Sequence, residues 1–173
     1  MAGESLELES RRRIFGAVRE TPGVHFRALV DDLPYAEGTL QYHLQWLVDA
    51  DLVDASRDGQ YTRYYPADSF DEGDRQTMNA LRRRNARRVL AHLAADGPLT
   101  TTGLAERLEK AASTVSWHLS KLHDAGLVEK ERDGRTVAYS LADPDRVRYL
   151  YVLHRESFAD RLVDRLLDIW EGY

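Results

Sequence analysis

The chain contains the stretch Thr114-Val-Ser-Trp-His-Leu-Ser-Lys-Leu-His-Asp-Ala-Gly-Leu-Val-Glu-Lys-Glu-Arg-Asp-Gly134. It also contains, 75 positions earlier, Thr39-Leu-Gln-Tyr-His-Leu-Gln-Trp-Leu-Val-Asp-Ala-Asp-Leu-Val-Asp-Ala-Ser-Arg-Asp-Gly59. Residues 12–68 align with residues 87–143 without a gap, and 14 of the 30 positions from Thr39 to Asp68 are identical to their partners. A repeat of this length corresponds to a whole small domain, so the sequence predicts two related domains.

Local patterns in the second repeat predict three helices followed by a hairpin. Helical spacing and stop signals place helices from Arg84 to Ala95, from a cap at Thr101 or Thr102 through Leu108, and from Ala112 or Ser113 to Ala125. Gly126 suits the left-handed residue that ends a helix, and Asp133-Gly134 is a strong hairpin turn between strands Leu127–Arg132 and Thr136–Leu141. The first repeat has the same order, which predicts Arg11–Glu20, Phe26–Leu33, Glu37–Ala50, Leu52–Arg57 and Tyr61–Tyr65.

This order defines the predicted architecture, which is mainly α with small β-hairpin wings. We expect an acidic N-terminal tail at 1–10, winged helix-turn-helix domains at 11–68 and 82–143, a connector at 69–81 and a C-terminal helix at 144–173. Domains of this size bury little apolar surface alone, so packing or oligomerisation is expected.

The second repeat resembles a known family of regulators. Ser113–Val128, followed by Arg132–Leu141, looks like the recognition helix and wing of ArsR/MarR-type regulators, and the pair of domains resembles the tandem winged-helix regulators common in archaea. The resemblance covers 11–143 and implies a transcription regulator that binds specific sequences in double-stranded DNA. The first repeat departs from it at Pro34–Gly38 and has Asp51 where Gly126 stands.

The predicted recognition helix of the second repeat has an apolar face formed by Val115, Leu119 and Leu122. Its other side carries short hydroxyls, a tryptophan and a lysine, which suit close approach to base edges and phosphates. An ordinary solvated helix face is the alternative. The candidate DNA contacts on this helix are Ser113, Thr114, Ser116, Trp117, Ser120 and Lys121.

The equivalent helix of the first repeat leaves two interpretations open. Its outward residues are Thr39, Gln41, Tyr42 and Gln45, and glutamine can pair bidentately with adenine. However, the helix has no Lys or Arg, and Trp46 stands where Lys121 stands in the second repeat. An exposed tryptophan more often marks a protein contact, so this face could contact either DNA or another protein surface.

Arginines extend both candidate surfaces. Arg132 and Arg135 in the second wing, and Arg57 and Arg63 in the first, are candidates for contacts with flanking phosphates or the minor groove, or are solvated turn residues. The clusters Arg11–Arg13 and Arg82–Arg84, with Arg87 and Arg88, lie at predicted helix N-termini, where positive charge is unfavourable. Phosphate contacts and ion pairs with the acidic stretch 68–74 are the two explanations.

The C-terminal segment predicts a dimer contact. Apolar residues step by three and four along a predicted amphipathic helix, which suits packing on a second helix, although the helix could also fold back on its own domains. The candidate dimerisation residues are Ala159, Leu162, Leu166, Ile169 and Trp170. The preceding stretch Val147–Leu153 is apolar nearly all round, so we expect it to be mostly buried.

Composition excludes several classes of function. The chain has no Cys and no apolar run of spanning length, so we expect a soluble, cytoplasmic protein without disulfides. We predict no metal, no cofactor and no enzymatic activity, because no metal-ligand spacing, nucleophile–base pair or phosphate loop is present. The stretch Leu99–Ala105 also lacks the Cys-x-Cys of metal-sensing ArsR-type repressors.

The negative net charge does not favour strong nonspecific attraction to DNA. The net charge is −5, and only residues 82–143 are net positive, at +3. Of the 24 basic residues three are lysines, which indicates a salt-adapted, halophilic source or a GC-rich genome. We therefore keep one alternative function, a tandem winged-helix scaffold resembling segregation and condensation protein B. No effector is indicated by the sequence.

Overall fold

The structure is a computed structural model that describes residues 2–158. The chain divides into two compact units, Met1–Arg75 and Gln76–Tyr173, which are described separately. The predicted dimerisation residues Ala159, Leu162, Leu166, Ile169 and Trp170 lie outside the described residues. Among the described residues, no helix has the length and apolarity needed to cross a membrane.

The first unit consists of helices packed beside a small antiparallel sheet. Its strands lie in the order Val24–His25, Tyr61–Pro66 and Val53–Asp58, and Asp58 pairs with Tyr61 at the hairpin turn. Helix α4, Glu72–Arg82, begins in this unit and ends in the second. The elements of the first unit are α1 (Ala2–Glu20), β1 (Val24–His25), α2 (Phe26–Asp32), α3 (Glu37–Asp49), β2 (Val53–Asp58) and β3 (Tyr61–Pro66).

The second unit repeats this order of elements. Its strands lie in the order Leu99–Thr100, Thr136–Leu141 and Val128–Asp133, with Asp133 paired to Thr136 at the hairpin turn. The elements are α5 (Arg84–Asp96), β4 (Leu99–Thr100), α6 (Thr101–Leu108), α7 (Ala112–Asp124), β5 (Val128–Asp133), β6 (Thr136–Leu141) and α8 (Pro144–His154), followed by a 3-10 turn at Arg155–Ser157. The predicted fold class, two tandem winged helix-turn-helix domains, is confirmed.

Each unit has a core built from the apolar faces that the repeat predicts. In the first unit, Leu40, Leu44 and Leu47 of α3 are buried against residues of α1 and α2, including Ile14 and Leu29. In the second unit, the equivalent residues of α7 are Val115, Leu119 and Leu122, and all three are buried. Burial of this row orients the opposite face of each helix toward solvent.

Helices α2 and α6 begin with the same cap made by different chemistry. Nδ1 of His25 accepts a hydrogen bond from the amide of Ala28 at 3.1 Å. At the position 75 residues later, Oγ1 of Thr100 accepts from the amide of Gly103 at 3.1 Å. The prediction of a cap at Thr101 or Thr102 was therefore wrong by one or two residues, because the short strand β4 ends at Thr100.

Two further expectations need correction. Helix α1 begins at Ala2 rather than Arg11, so Arg11–Arg13 lie inside a helix and not at its N-terminus. The acidic residues 2–10 are helical, and Glu7 accepts a hydrogen bond from Arg11 at 3.4 Å. Helix α8 is not mostly buried: Tyr149 and Leu153 are 64% and 58% exposed, because one face of the helix is turned to solvent.

Candidate nucleic-acid interface

The exposed face of α7 brings the predicted contact residues of the second repeat together. With Val115, Leu119 and Leu122 buried, the helix presents a continuous polar surface on its other side. All six predicted residues are exposed on it: Ser113, Thr114, Ser116, Trp117, Ser120 and Lys121. Four hydroxyls on one helix face offer donors and acceptors at short range, which is what base edges and phosphates require.

The ends of α7 fix how this face is presented. Glu109 is left-handed at φ 53° and ends α6, so the chain turns sharply into α7. At the other end Gly126 is left-handed at φ 74°, and the amide of Leu127 donates to the carbonyl of Leu122 at 2.9 Å. The chain therefore leaves the helix directly into β5, the first strand of the wing.

Trp117 is the largest side chain on this surface. Its indole is 58% exposed and makes an edge-on contact with the His118 ring at 5.0 Å between centroids. Nζ of Lys121 lies 5.8 Å from the centroid of the indole ring. Burial lowers the pKa of His118, and the nearby cations Arg83 and Lys110 lower it further, which favours the neutral imidazole.

The second wing exposes its charged tip. Every residue from 129 to 136 is exposed, including both predicted arginines, Arg132 and Arg135. Nε of Arg132 donates to the carbonyl of Gly134 at 3.2 Å, which holds the start of this side chain against the turn. Lys130, on the same strand, is a further exposed base that was not predicted as a contact.

Lys110 is a second basic residue missed by the sequence analysis. It lies in the turn between α6 and α7 and is exposed. A base immediately before a recognition helix was visible in the sequence and could have been assigned, since a lysine there can approach a phosphate beside the helix.

The equivalent helix of the first repeat, α3, presents a different surface. Thr39, Gln41, Tyr42 and Gln45 are exposed as predicted. Nε2 of Gln45, however, donates to Oδ1 of Asp49 at 2.8 Å, so its amide is already engaged. Helix α3 carries the carboxylates of Glu37 and Asp49 and has no Lys or Arg.

Two aromatic side chains dominate the exposed face of α3. Tyr42 is 57% exposed and Trp46 is 40% exposed. The guanidinium carbon of Arg11, on α1, lies 4.0 Å from the centroid of the Trp46 ring. The guanidinium group of Arg11 therefore lies over the indole of Trp46, at the edge of this exposed face.

The structure removes Arg63 from the predicted DNA contacts. Its side chain is 4% exposed, and Nε lies 2.6 Å from Oδ2 of Asp58. Nη1 also donates to the carbonyl of Gly23 at 3.0 Å. Arg63 thus ties the hairpin to the preceding loop from inside the domain, while Arg57 on the same hairpin remains exposed.

Part of the second arginine cluster has an internal role that neither sequence explanation anticipated. Nη1 of Arg82 donates to the carbonyl and the hydroxyl of Ser157 at 3.1 and 2.8 Å. Arg82 and Arg87 both lie over the ring of Phe158, at 4.7 and 5.3 Å from its centroid. These two arginines hold the end of the described chain, whereas Arg83 and Arg84 are exposed.

No group of three or more His, Asp or Glu side chains within residues 2–158 is arranged to hold a metal ion. The candidate surfaces are helix faces and hairpins, which offer hydrogen bonding, charge and apolar contact.

Family models match both units. A model described as an N-terminal HTH domain matches residues 8–78, and a model described as a helix-turn-helix domain matches residues 81–131. The two matches together cover both predicted recognition helices. The wing of the second unit lies largely outside the second match.

Two curated relatives resemble the chain in sequence. An HTH-type transcriptional regulator of Methanocaldococcus jannaschii is 29% identical over 131 residues, which are 76% of this chain and 33% of that protein. The HTH-type transcriptional regulator NmtR of Mycobacterium tuberculosis is 36% identical over 91 residues, which are 51% of this chain and 75% of NmtR. The chain spans a third or less of the two Methanocaldococcus jannaschii relatives that it matches.

Among solved structures, the cadmium metal-sensor CMTR of Mycobacterium tuberculosis is similar to part of the chain. It is 37% identical, with 49% of this chain and 86% of that chain covered, at a TM-score of 0.42.

Proposed function

Because the chain belongs to the helix-turn-helix transcriptional regulators, we propose that it regulates transcription by binding specific sequences in double-stranded DNA through its second domain. The observation that carries this proposal is the face of α7. Six exposed polar or aromatic side chains lie opposite a fully buried apolar row, and the helix leads directly into an exposed wing. This arrangement suits insertion of a helix into the major groove beside a hairpin that reaches the flanking backbone.

We assign the strongest contacts to the second domain because the two domains differ in charge at the equivalent surfaces. Lys121, Arg132 and Arg135 are exposed in the second domain. The first domain has Trp46 and Gln60 at the positions of Lys121 and Arg135, and its Arg63 is buried in an ion pair. Contacts from Thr39, Gln41, Tyr42, Gln45 and Arg57 would then be secondary, and Arg63 would make none.

The bound state is proposed to be a homodimer. Support comes from α8, where Tyr149, Val152 and Leu153 are exposed directly before the segment with predicted dimerisation spacing. A dimer presents its recognition helices in symmetric pairs, so the expected operator has two half-sites separated by about one helical turn, roughly 34 Å. A protein acting on chromosomal DNA would reside in the cytoplasm.

The comparisons favour DNA over the scaffold alternative, since both curated relatives described above are HTH-type transcriptional regulators. The net charge of −5 implies weak attraction to DNA of arbitrary sequence. Affinity for the operator must therefore depend on local contacts at α7 and the wing. A shallow decrease in affinity with salt is expected, since few phosphates would be neutralised.

The test is selection of bound fragments from sheared DNA of the source organism, followed by sequencing and affinity measurement on the enriched motif. The double variant Lys121→Ala/Arg135→Ala should bind the motif at least tenfold more weakly, since two charged contacts are lost. The matched control is Arg19→Ala/Arg27→Ala, which removes the same charge from exposed residues of α1 and α2.

Each outcome has a definite meaning. Weaker binding only by the first double variant supports the proposal. Equal binding by both double variants and the unaltered protein would place the DNA surface elsewhere. If the folded protein enriches no motif, DNA binding is rejected and the scaffold function becomes the leading hypothesis. The surface around Tyr42 and Trp46 would then be tested first for a protein partner.

A further inference from the structure

Trp117 is the large apolar side chain of α7 that is left exposed. The indole is 58% exposed, while the apolar residues of the same helix, Val115, Leu119 and Leu122, are at most 4% exposed. It does not cap the helix or complete the core. A tryptophan at the centre of a polar helix face suits contact with a partner, since tryptophan is enriched at interfaces.

The surroundings of Trp117 define what it can recognise. Ser113, Ser116 and Ser120 are short and flank it along the helix, so the indole projects beyond them. Lys121, the one long base of this helix, has its Nζ 5.8 Å from the indole centroid. The centre of the exposed face of α7 is therefore apolar, and the residues around it are polar or positively charged.

In the major groove, the apolar group at a base edge is the methyl group at C5 of thymine. Cytosine exposes the same group only when it is methylated at C5. An indole has one N–H donor and no acceptor, so its main interaction in the groove is apolar contact. We propose that Trp117 recognises the C5 methyl group of a pyrimidine and so determines part of the operator sequence.

This inference rests on the proposed DNA binding and goes beyond it by assigning a chemical group to one residue. Burial of one methyl group against the indole corresponds to about a fourfold change in Kd. The first domain has Tyr42 at the equivalent position, also exposed, but no Lys or Arg on its helix. The inference therefore concerns the second domain.

The experiment starts from the operator fragment selected from genomic DNA. Three forms of the same duplex are compared: the native genomic fragment, its amplified copy made with thymidine triphosphate, and an amplified copy made with deoxyuridine triphosphate. Uracil keeps every hydrogen-bonding group of thymine and lacks only the methyl. Amplification removes any methyl group from cytosine. Kd is measured for the unaltered protein, Trp117→Ala, Trp117→Phe and the exposed-residue control Leu52→Ala.

We expect the unaltered protein and Leu52→Ala to bind the uracil duplex about fourfold more weakly for each contacted thymine. Trp117→Ala should bind the thymine and uracil duplexes equally, and Trp117→Phe should keep part of the difference. If the loss occurs instead on amplification, with no difference between thymine and uracil, a copy made with 5-methyldeoxycytidine triphosphate is tested as well. Recovery of binding on this copy by the unaltered protein, but not by Trp117→Ala, would assign the methyl group to cytosine, and the inference would hold. Absence of that recovery would overturn it.

Two other results would overturn the inference while leaving the proposed function intact. One is equal binding of all three duplexes by the unaltered protein. The other is a thymine–uracil difference that persists in Trp117→Ala, since it would then arise from DNA shape or another residue. Enrichment of no fragment at all would reject the proposed function itself, and this inference with it.

Discussion

Nε of Arg63 lies 2.6 Å from Oδ2 of Asp58 inside the hairpin of the first domain. The repeat places Ala138 at the position of Arg63 and Asp133 at the position of Asp58. The buried ion pair is therefore specific to the first hairpin. One copy of the repeat uses an arginine to fix its wing from within, and the other keeps its arginines on the surface.

Replacing Arg63 should destabilise the first domain without acting on DNA contacts. Arg63→Met removes the charge but keeps much of the volume, so the mostly buried carboxylate of Asp58 loses the guanidinium that lies 2.6 Å from it. The expected loss is about 3 kcal/mol in the free energy of unfolding. Chemical denaturation monitored by tryptophan fluorescence would measure it.

Two further variants test whether the pair itself is responsible. Arg57→Met changes an exposed arginine of the same hairpin and should alter stability by less than about 0.5 kcal/mol. Adding Asp58→Asn to Arg63→Met should recover part of the loss, since the buried side chain at position 58 then carries no charge. An Arg63→Met variant as stable as the unaltered protein would contradict this account.

The two domains also differ at the residue that ends the recognition helix. Asp51 and Gly126 occupy equivalent positions, and both are left-handed, at φ 54° and 74°. A Cβ atom is strained in this region, so Asp51→Gly should raise the free energy of unfolding by about 0.5–1 kcal/mol. Thermal unfolding of the variant and the unaltered protein would show the change.

The reciprocal change provides the control. Gly126→Ala should cost about 1 kcal/mol through backbone strain alone, because an added Cβ at Gly126 meets no atom within 4 Å. A stabilising Gly126→Ala, or a destabilising Asp51→Gly, would show that the backbone at these positions does not behave as described.

Most of the fold could be predicted because the repeat allowed each pattern to be tested twice. Apolar spacing located α3 and α7, and the Asp-Gly pairs located both hairpins to within one or two residues. The start of α1 was missed since residues 2–10 have charged side chains and little apolar spacing. That stretch has (i, i+4) support, as in Glu7 and Arg11, which the prediction did not weigh.

The candidate site was less predictable, for a physical reason. Sequence spacing assigns a residue to a face, but it does not reveal whether a charged side chain reaches solvent or turns inward to a partner. Arg57 and Arg63 look alike in the sequence, yet one is exposed and the other is 4% exposed beside Asp58. Arg82 and Arg87 were likewise engaged by Phe158, a residue 71 or more positions away.

The proposed dimer gives a prediction for the segment beyond residue 158. Leu162→Asp/Leu166→Asp places two charges on the predicted apolar stripe and should convert a dimer into a monomer, as measured by light scattering. Arg165→Asp, on the predicted polar side, serves as the control and should remain dimeric. A monomeric unaltered protein at micromolar concentration would rule out the proposed dimer.

The stability of the first domain should depend on the protonation of His25, which caps α2. The equivalent cap in the second domain, Thr100, does not titrate. Its Nδ1 must be unprotonated to accept the hydrogen bond that caps α2. Burial lowers the pKa of His25 below its ordinary value of 6.5, and the Arg63 cation lowers it further, while Asp31 opposes this. The Tyr61 ring, stacked at 5.0 Å, also lies against the imidazole.

The lowered pKa of His25 determines how the stability of the first domain changes with pH. Because the unfolded chain binds a proton at higher pH than the folded one, the stabilisation from neutral His25 is complete above pH 6.5 and is lost as the pH falls toward the lowered pKa. His43 has a pKa lowered by burial and by Arg11, so it contributes in the same direction. We expect the first domain to lose stability from pH 7 toward pH 5.

The repeat supplies the control for this prediction. His25→Thr installs the capping residue found at Thr100, so the cap should remain while the titrating group is removed. Stability at pH 7 should change by less than about 1 kcal/mol, and the decrease toward pH 5 should become shallower. His25→Ala should also show a shallower decrease but be less stable at pH 7, since the cap is lost. If His25→Thr keeps the full pH dependence of the unaltered protein, the acid sensitivity arises at His43 or another group, and the cap at His25 does not titrate.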